Sequence, residues 1–258
     1  MGAEDFVLSG AGLWPLLALL AAGADDPAGA ELAAALDRPT DNAQQEALEI
    51  IDILRGGQST TAALGLWARE GVPLDSGWAA PLPEEVVGAL TDQAALDRWA
   101  AEQTGGLIDT FPLEITQETL LVLASALTAK VRWRIPFEGY PRGRGDTGRP
   151  DDPGPADQQS LHRTTSNLSI AAVLDDVVTR VVVEGDGDVD VHLLLGTDQS
   201  PGEILGAGLR ELSGQAQVRL AADTGDRGGP GLAVERLKAV RPKDMLELSL
   251  PSFEIRTK

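Results

Sequence analysis

Between Thr119 and Ala129 the chain reads TLLVLASALTA, a run with no charged residue and no alternation of apolar and polar side chains. A strand with one wet face alternates with a period of two, so a run that does not alternate must be covered on both faces of its sheet. The run therefore predicts a strand central to a sheet rather than at its edge. Helices must lie on that sheet.

The rest of the chain supplies them. Residues 6–24 predict a short strand, Phe6 to Leu8, leading into a helix that is apolar nearly all round and so belongs in an interior. NAQQEALEIIDILRGG (42–57) predicts an amphipathic helix with Asn42 as N-cap, Leu48, Ile51 and Leu54 facing inward, Arg55 in the last turn and a glycine stop. TTAALGLWAREGVPL (60–74) predicts a strand, and TDQAALDRWAAEQTGG (91–106) a helix capped by Thr91 with Leu96, Trp99 and Ala100 on one face. VVTRVVVEG (177–185) and DVDVHLLLG (188–196) predict a hairpin, followed by a short helix at 201–213 and an extended segment at 246–258. The Gly, Pro, Arg and Asp-rich stretch at 139–157 has nothing to bury and predicts a mobile loop. No internal repeat is apparent. The class is mixed α and β.

Charge excludes several partners. Forty acidic against twenty-one basic residues give a net charge of −19, which repels phosphate backbones and anionic headgroups, so neither nucleic acid nor a membrane is an expected partner. The apolar stretch LWPLLALLAAGA (13–24) follows acidic GAEDFVLSG where a secretory signal is basic, and it is too short to span a bilayer. It predicts a buried helix, with no targeting segment evident. There is no cysteine, so disulfides and thiolate metal sites are excluded and the compartment stays open, cytoplasmic or exported as a mature form.

Candidate chemistry is sparse. GRGDTG (143–148) matches a dinucleotide fingerprint, but the fingerprint needs a strand before it and a helix after it, and here a Pro-Arg turn precedes and RPDDPGP follows. The embedded RGD (144–146) is expected from the loop's composition alone. Asp186, Asp188 and Asp190 alternate as a cation site would, yet a calcium loop needs a longer oxygen-rich arc and a closing Glu, and a solvated hairpin turn accounts for the acids. His162 and His192 are the only histidines, without a Gly-x-Ser-x-Gly elbow or a His-Glu-x-x-His helix beside them. His192, in an apolar strand, is expected to be a hydrogen-bonded core or half-buried residue. No catalytic constellation, metal site or cofactor is predicted.

The order of the pieces carries more. DFVLSGAGLWPLLALLAAGA followed by ELAAAL resembles the opening signature of the serpin family, and TGGLI (104–108) resembles the turn after the helix that crosses the front of that family's large sheet. TLLVLASALTAKVRWRIPF is similar to the third strand of the large sheet, ending at the Trp and Pro-Phe of its upper breach region, and LSLPSFEI (248–255) is similar to the family's Leu-Pro-x-Phe-x-Ile segment. The Ala, Gly and Asp richness suggests a divergent member of prokaryotic type. The resemblance implies one α+β domain over 1–258, a large mixed β-sheet with helices packed on it, smaller sheets beside it, and a metastable fold. It also implies inhibition of a serine or cysteine protease, in which a cleaved reactive loop inserts as a new strand and traps the protease before the acyl-enzyme hydrolyses.

By the same resemblance Trp133 is a conformational residue of the breach, and Ser9 and Ser125 are conformational residues of the shutter that lets the sheet open. The family's Ser-Pro-x-Ser stands here as Ser9-Gly10-Ala11-Gly12, and its usual Asn as Ser125. The chain stops at Lys258, after the Leu-Pro-x-Phe block, so the reactive loop is expected outside it, and the strands at 119–131 and 248–256 are expected to lack their shared neighbour. The expected partners are a target protease or a C-terminal segment as a second chain. Two other readings stay open: a non-inhibitory scaffold reused as a small-molecule carrier or enzyme, and an interaction protein that accepts a partner's strand.

Overall fold

The computed structural model describes residues 7–141, 159–235 and 244–252, grouped into two compact units that divide between Lys130 and Val131. The first unit opens with three helices, α1 (Gly10–Ala22), α2 (Ala28–Leu36) and α3 (Ala43–Arg55). The apolar stretch at 13–24 becomes α1, with Ala18, Leu19 and Ala21 buried. Next come strand β1 (Thr60–Ala68), the single turn α4 (Ser76–Ala79), the short strand β2 (Val87–Ala89), helix α5 (Gln93–Thr104) and strand β3 (Leu121–Ala129).

These three strands form one mixed sheet of order β2-β1-β3. β1 runs parallel to β2 and antiparallel to β3 in an unbroken register, Thr60 opposite Ala129 through Ala68 opposite Leu121. One face carries Ala62, Leu64, Leu66, Leu123 and Leu127 against Leu19 of α1 and Ile51 of α3. The other carries Trp67, Val122 and Ala124 against Leu96 and Ala100 of α5 and against Phe111. Helices therefore cover β3 on both faces, which is why its sequence does not alternate. The expectation of a central strand fails, because among the described residues β3 pairs with β1 alone and is an edge.

The second unit contains β4 (Glu138–Pro141), β5 (Gln159–Thr165), β6 (Ala171–Leu174), β7 (Val178–Val183), β8 (Val191–Gly196), helix α6 (Pro201–Leu212), β9 (Val218–Leu220) and β10 (Leu246–Pro251). The hairpin predicted at 177–196 is present as β7 and β8, in a four-stranded antiparallel sheet of order β8-β7-β6-β9. Helix α6 begins with a capping box in which Ser200 and Glu203 each take the other's backbone amide, and it packs Ile204 and Ala207 on that sheet. Arg180 of β7 fixes it further, donating through Nε to Glu211 (3.0 Å) and through Nη1 to Ile170 O (2.9 Å).

β10, β5 and β4 form a separate sheet in that order. Leu246–Pro251, the start of the segment at 246–258, pairs with β5. The remainder of that segment, 253–258, lies outside the described residues. Four local expectations also differ. Val7 and Leu8 are irregular rather than strand, and β1 ends at Ala68 instead of reaching 74. The cap of α5 is Asp92, not Thr91, because the Asp92 carboxylate accepts from Ala95 N at 2.8 Å. Residues 139–141 belong to β4, since pairing with β5 supplies their backbone partners; the rest of the predicted loop, 142–157, lies outside the described residues.

Candidate functional site: the open side of β3

Hydrogen-bond parity fixes what β3 offers. Arg69 N donates to Leu120 O (2.9 Å) and Lys130 N donates to Ser59 O (2.8 Å), so the residue pairs at both ends of the ladder are of the hydrogen-bonded kind. Such pairs alternate along an antiparallel ladder. Val122, Ala124, Ala126 and Thr128 therefore exchange bonds with β1, while the N–H and C=O groups of Leu121, Leu123, Ser125 and Leu127 point to the side that has no strand among the described residues. The strand carries no charge, proline or bulge, the usual means of blunting a sheet edge. Exposed Leu120 and Leu121 extend the apolar surface at its start.

The residues at the middle of this strand come together with the start of α1. Ser9 is the N-cap of α1, its Oγ accepting from Gly12 N at 3.0 Å. Ser125 Oγ lies against the same glycine: a methyl group built at Gly12 would stand 2.9 Å from Ser125 Oγ and 3.2 Å from Ser9 Oγ. Gly12 is buried, so it is the absence of a side chain there that lets both hydroxyls approach. Gly12→Ser should therefore destabilise the protein by about 1–3 kcal/mol through overpacking. Adding Ser125→Gly, which vacates the contact, should recover at least about 0.5 kcal/mol of that loss in a double-mutant cycle read by urea denaturation. Strict additivity would mean that the two positions do not touch.

Trp133 lies in the second unit, half-buried, and forms a single antiparallel bridge with Gly185 in the turn between β7 and β8. That turn is tied to its segment from both sides. Arg134 N donates to Glu184 O (3.0 Å), Asp186 N donates to Arg132 O (2.7 Å), and the Arg134 guanidinium pairs with Glu184 at 3.0 Å. Asp190 closes the turn by accepting from Gly185 N at 2.9 Å. Asp186, Asp188 and Asp190 thus belong to the turn that precedes β8 rather than to one side of a strand. Among the described residues no cluster of three or more His, Cys, Asp or Glu is arranged to hold a metal ion.

The two histidines sit in different sheets. His162 is half-buried on β5, opposite Ser249 of β10 and Glu138 of β4. His192 is exposed, against the expectation of a core or half-buried residue; among the described residues β8 is an edge strand of its sheet, and His192 stands near its start. GRGDTG lies outside the described residues. An aromatic cluster escaped the sequence reading: Trp67 packs edge-on against Trp99 (ring centroids 4.9 Å apart) and Phe111 (6.3 Å) while its indole covers Gly65 and Gly88. The signal was a glycine two residues before a tryptophan on one strand.

No family model and no curated protein matches the chain. Solved structures do. A thyroxine-binding globulin complexed with a thyroxine-fluorescein conjugate aligns at TM-score 0.63 and 14% identity, over 84% of this chain and 71% of that one. The viral serpin CrmA aligns at 0.62 and 13% identity, over 98% and 74%. Tengpin, a thermophilic serpin in the latent state, aligns at 0.64 and 14% identity, over 97% and 66%.

Proposed function

We propose that this chain, which has the serpin fold, acts as a protease inhibitor of the serpin type by accepting an extended segment as a new strand along the open side of β3. One observation carries the reading. Among the described residues, four consecutive odd-numbered residues of β3, Leu121 to Leu127, have no strand to pair with on a strand whose two faces are already covered by α1 and α5. An incoming strand finds a complete ladder of donors and acceptors and needs no new core to be built.

The contact of Ser9 and Ser125 on Gly12 lies beside the middle of that ladder, so in this proposal it controls how readily a strand enters, and Trp133 holds its segment of the second unit against the β7–β8 turn. The target is a serine or cysteine protease. Among the described residues no helix is long and apolar enough to cross a membrane.

The experiment is direct. The native protein, together with the segment that carries the reactive loop, is incubated with a panel of serine and cysteine proteases, and the products are run after boiling in detergent. A resistant band at the summed mass of inhibitor and protease is the expected result. A panel that yields only cleaved chain overturns inhibition and leaves strand acceptance without a trap as the function. That second reading draws on Gly12, which stands where the serpin pattern has a serine hydroxyl at the shutter.

A further inference from the structure

A strand entering beside β3 meets more than a backbone ladder. Helix α1 packs beneath β3, and α3 packs against α1 and beneath β1. Gly12 of α1 lies against Ser125, and Leu19, seven residues on, packs into the core under the sheet, so these two residues mark the side of α1 that faces the strands. Pro15 and Ala18 are buried on one flank of that side. Leu13, Leu16 and Leu20, spaced i, i+3 and i+7, share the other flank, where Leu13 is 44% and Leu20 40% exposed. Since α3 closes the buried flank, the leucines lie on the open side of β3. No residue of α1 carries a charged or polar side chain except the Trp14 indole N–H, and a helix apolar nearly all round belongs in an interior. The leucines form a floor for whatever pairs with β3.

The faces of β3 decide which side chains of an added strand reach that floor. Leu123 and Leu127 point to the α1 face and Val122 and Ala124 to the α5 face, so by alternation Ser125 shares the α1 face. Residues directly opposite on paired strands project to the same face, with Cβ atoms about 4.5–5.5 Å apart. The partners of Leu123, Ser125 and Leu127 therefore land over α1. One polar group stands at the centre. Ser9 Oγ is engaged by Gly12 N, whereas the half-buried Ser125 hydroxyl has no hydrogen bond among the described residues. An apolar residue laid over it would bury that hydroxyl unpaired, and a charged one would itself be buried among leucines. A short hydroxyl side chain directly opposite answers it, as Ser and Thr do across strands.

We infer that the segment accepted beside β3 carries Ser or Thr opposite Ser125, with a large apolar residue two positions before it and two after it and no charge at any of the three. Strand acceptance at β3 is the premise, and Ser125 becomes the residue that selects among strands. The pattern is symmetric about its centre, so it holds for a strand entering in either direction. All the groups involved lie within residues 7–130.

The test is fluorescence anisotropy of the 258-residue protein with nonapeptides that carry fluorescein at the N-terminus and an amide at the C-terminus. In LTLTTTLTL the central Thr stands opposite Ser125 whichever way the peptide spans Leu121–Ala129. It should bind at least about fivefold more tightly than LTLTVTLTL, in which Val keeps the shape and loses the hydroxyl. It should bind at least about tenfold more tightly than LTTTTTTTL, which lacks the two inner leucines. Ser125→Ala should reverse the first order and favour the central Val, while Ser125→Pro should bind none of the three. No binding at millimolar peptide, or equal binding to the parent and to Ser125→Pro, overturns strand acceptance and this specificity with it. Binding that Ser125→Pro abolishes, but in which the parent takes the Val peptide as well as the Thr peptide or Ser125→Ala keeps the Thr preference, overturns the hydroxyl selection alone. Equal binding of LTTTTTTTL overturns the leucine floor.

Discussion

Trp67→Ala is expected to cost about 3–5 kcal/mol, at the upper end for a single core substitution. The indole does three things at once. It covers Gly65 of its own strand and Gly88 of β2, and its edge contacts join β1 to Trp99 of α5 and to Phe111. Alanine leaves both glycines bare, and no neighbour can fill the space, because glycine has no side chain with which to respond; an aromatic ring laid over strand glycines is a known rescue of such weak points. The melting temperature should fall by about 6–20 °C for that loss. Trp67→Phe, which keeps a ring over Gly65, should retain most of the stability. If Trp67→Ala melts within about 2 °C of the parent, the ring is a surface ornament.

The same cluster shows where sequence reading stops. Leu96, Trp99 and Ala100 were legible as one face of a helix from their spacing, and Leu96 and Ala100 are buried in α5 as expected. Their partners were not legible, since Gly65, Trp67 and Gly88 come together only through the parallel pairing of β1 with β2. Strand β3 was legible as a strand covered on both faces, for the absence of alternation reports on faces. It says nothing about sides within the sheet plane, where backbone rather than side chains does the pairing; the open side was expected only through the resemblance, which left the strand at 119–131 without a neighbour.

Local chemistry has a comparable limit. Thr91 and Asp92 are both good N-caps, and only the backbone geometry at Asp92 selects between them. Gly139 to Pro141 read as loop because their composition is loop-like, yet a strand neighbour, β5, organises them. The candidate site was legible in part. Ser9 and Ser125 were singled out through a resemblance, and both hydroxyls lie against Gly12, a residue whose significance was a missing side chain.

A pair of proline substitutions on β3 should separate its two roles. At Ala126 the amide is committed to β1, opposite Ala63, so Ala126→Pro removes a ladder bond and forces a ring into the paired side. It should cost about 3 kcal/mol or more and leave little folded protein at 37 °C. At Ser125, one residue earlier, the amide points to the open side, so proline there removes no bond to β1 and is tolerated as on other edge strands. Ser125→Pro should fold, with a circular dichroism spectrum like the parent's, yet present an edge that lacks a central donor and carries a ring in the path of an added strand. In the protease assay it should yield cleaved chain in place of the resistant complex, while Ser125→Ala, which loses the hydroxyl and keeps the amide, should still form complex. Equal damage from both prolines would mean that the parity assigned to β3 is wrong. A folded Ser125→Pro protein that traps protease as well as the parent would mean that the strand enters elsewhere, and the open side of β3 would then lose its claim to be the functional site.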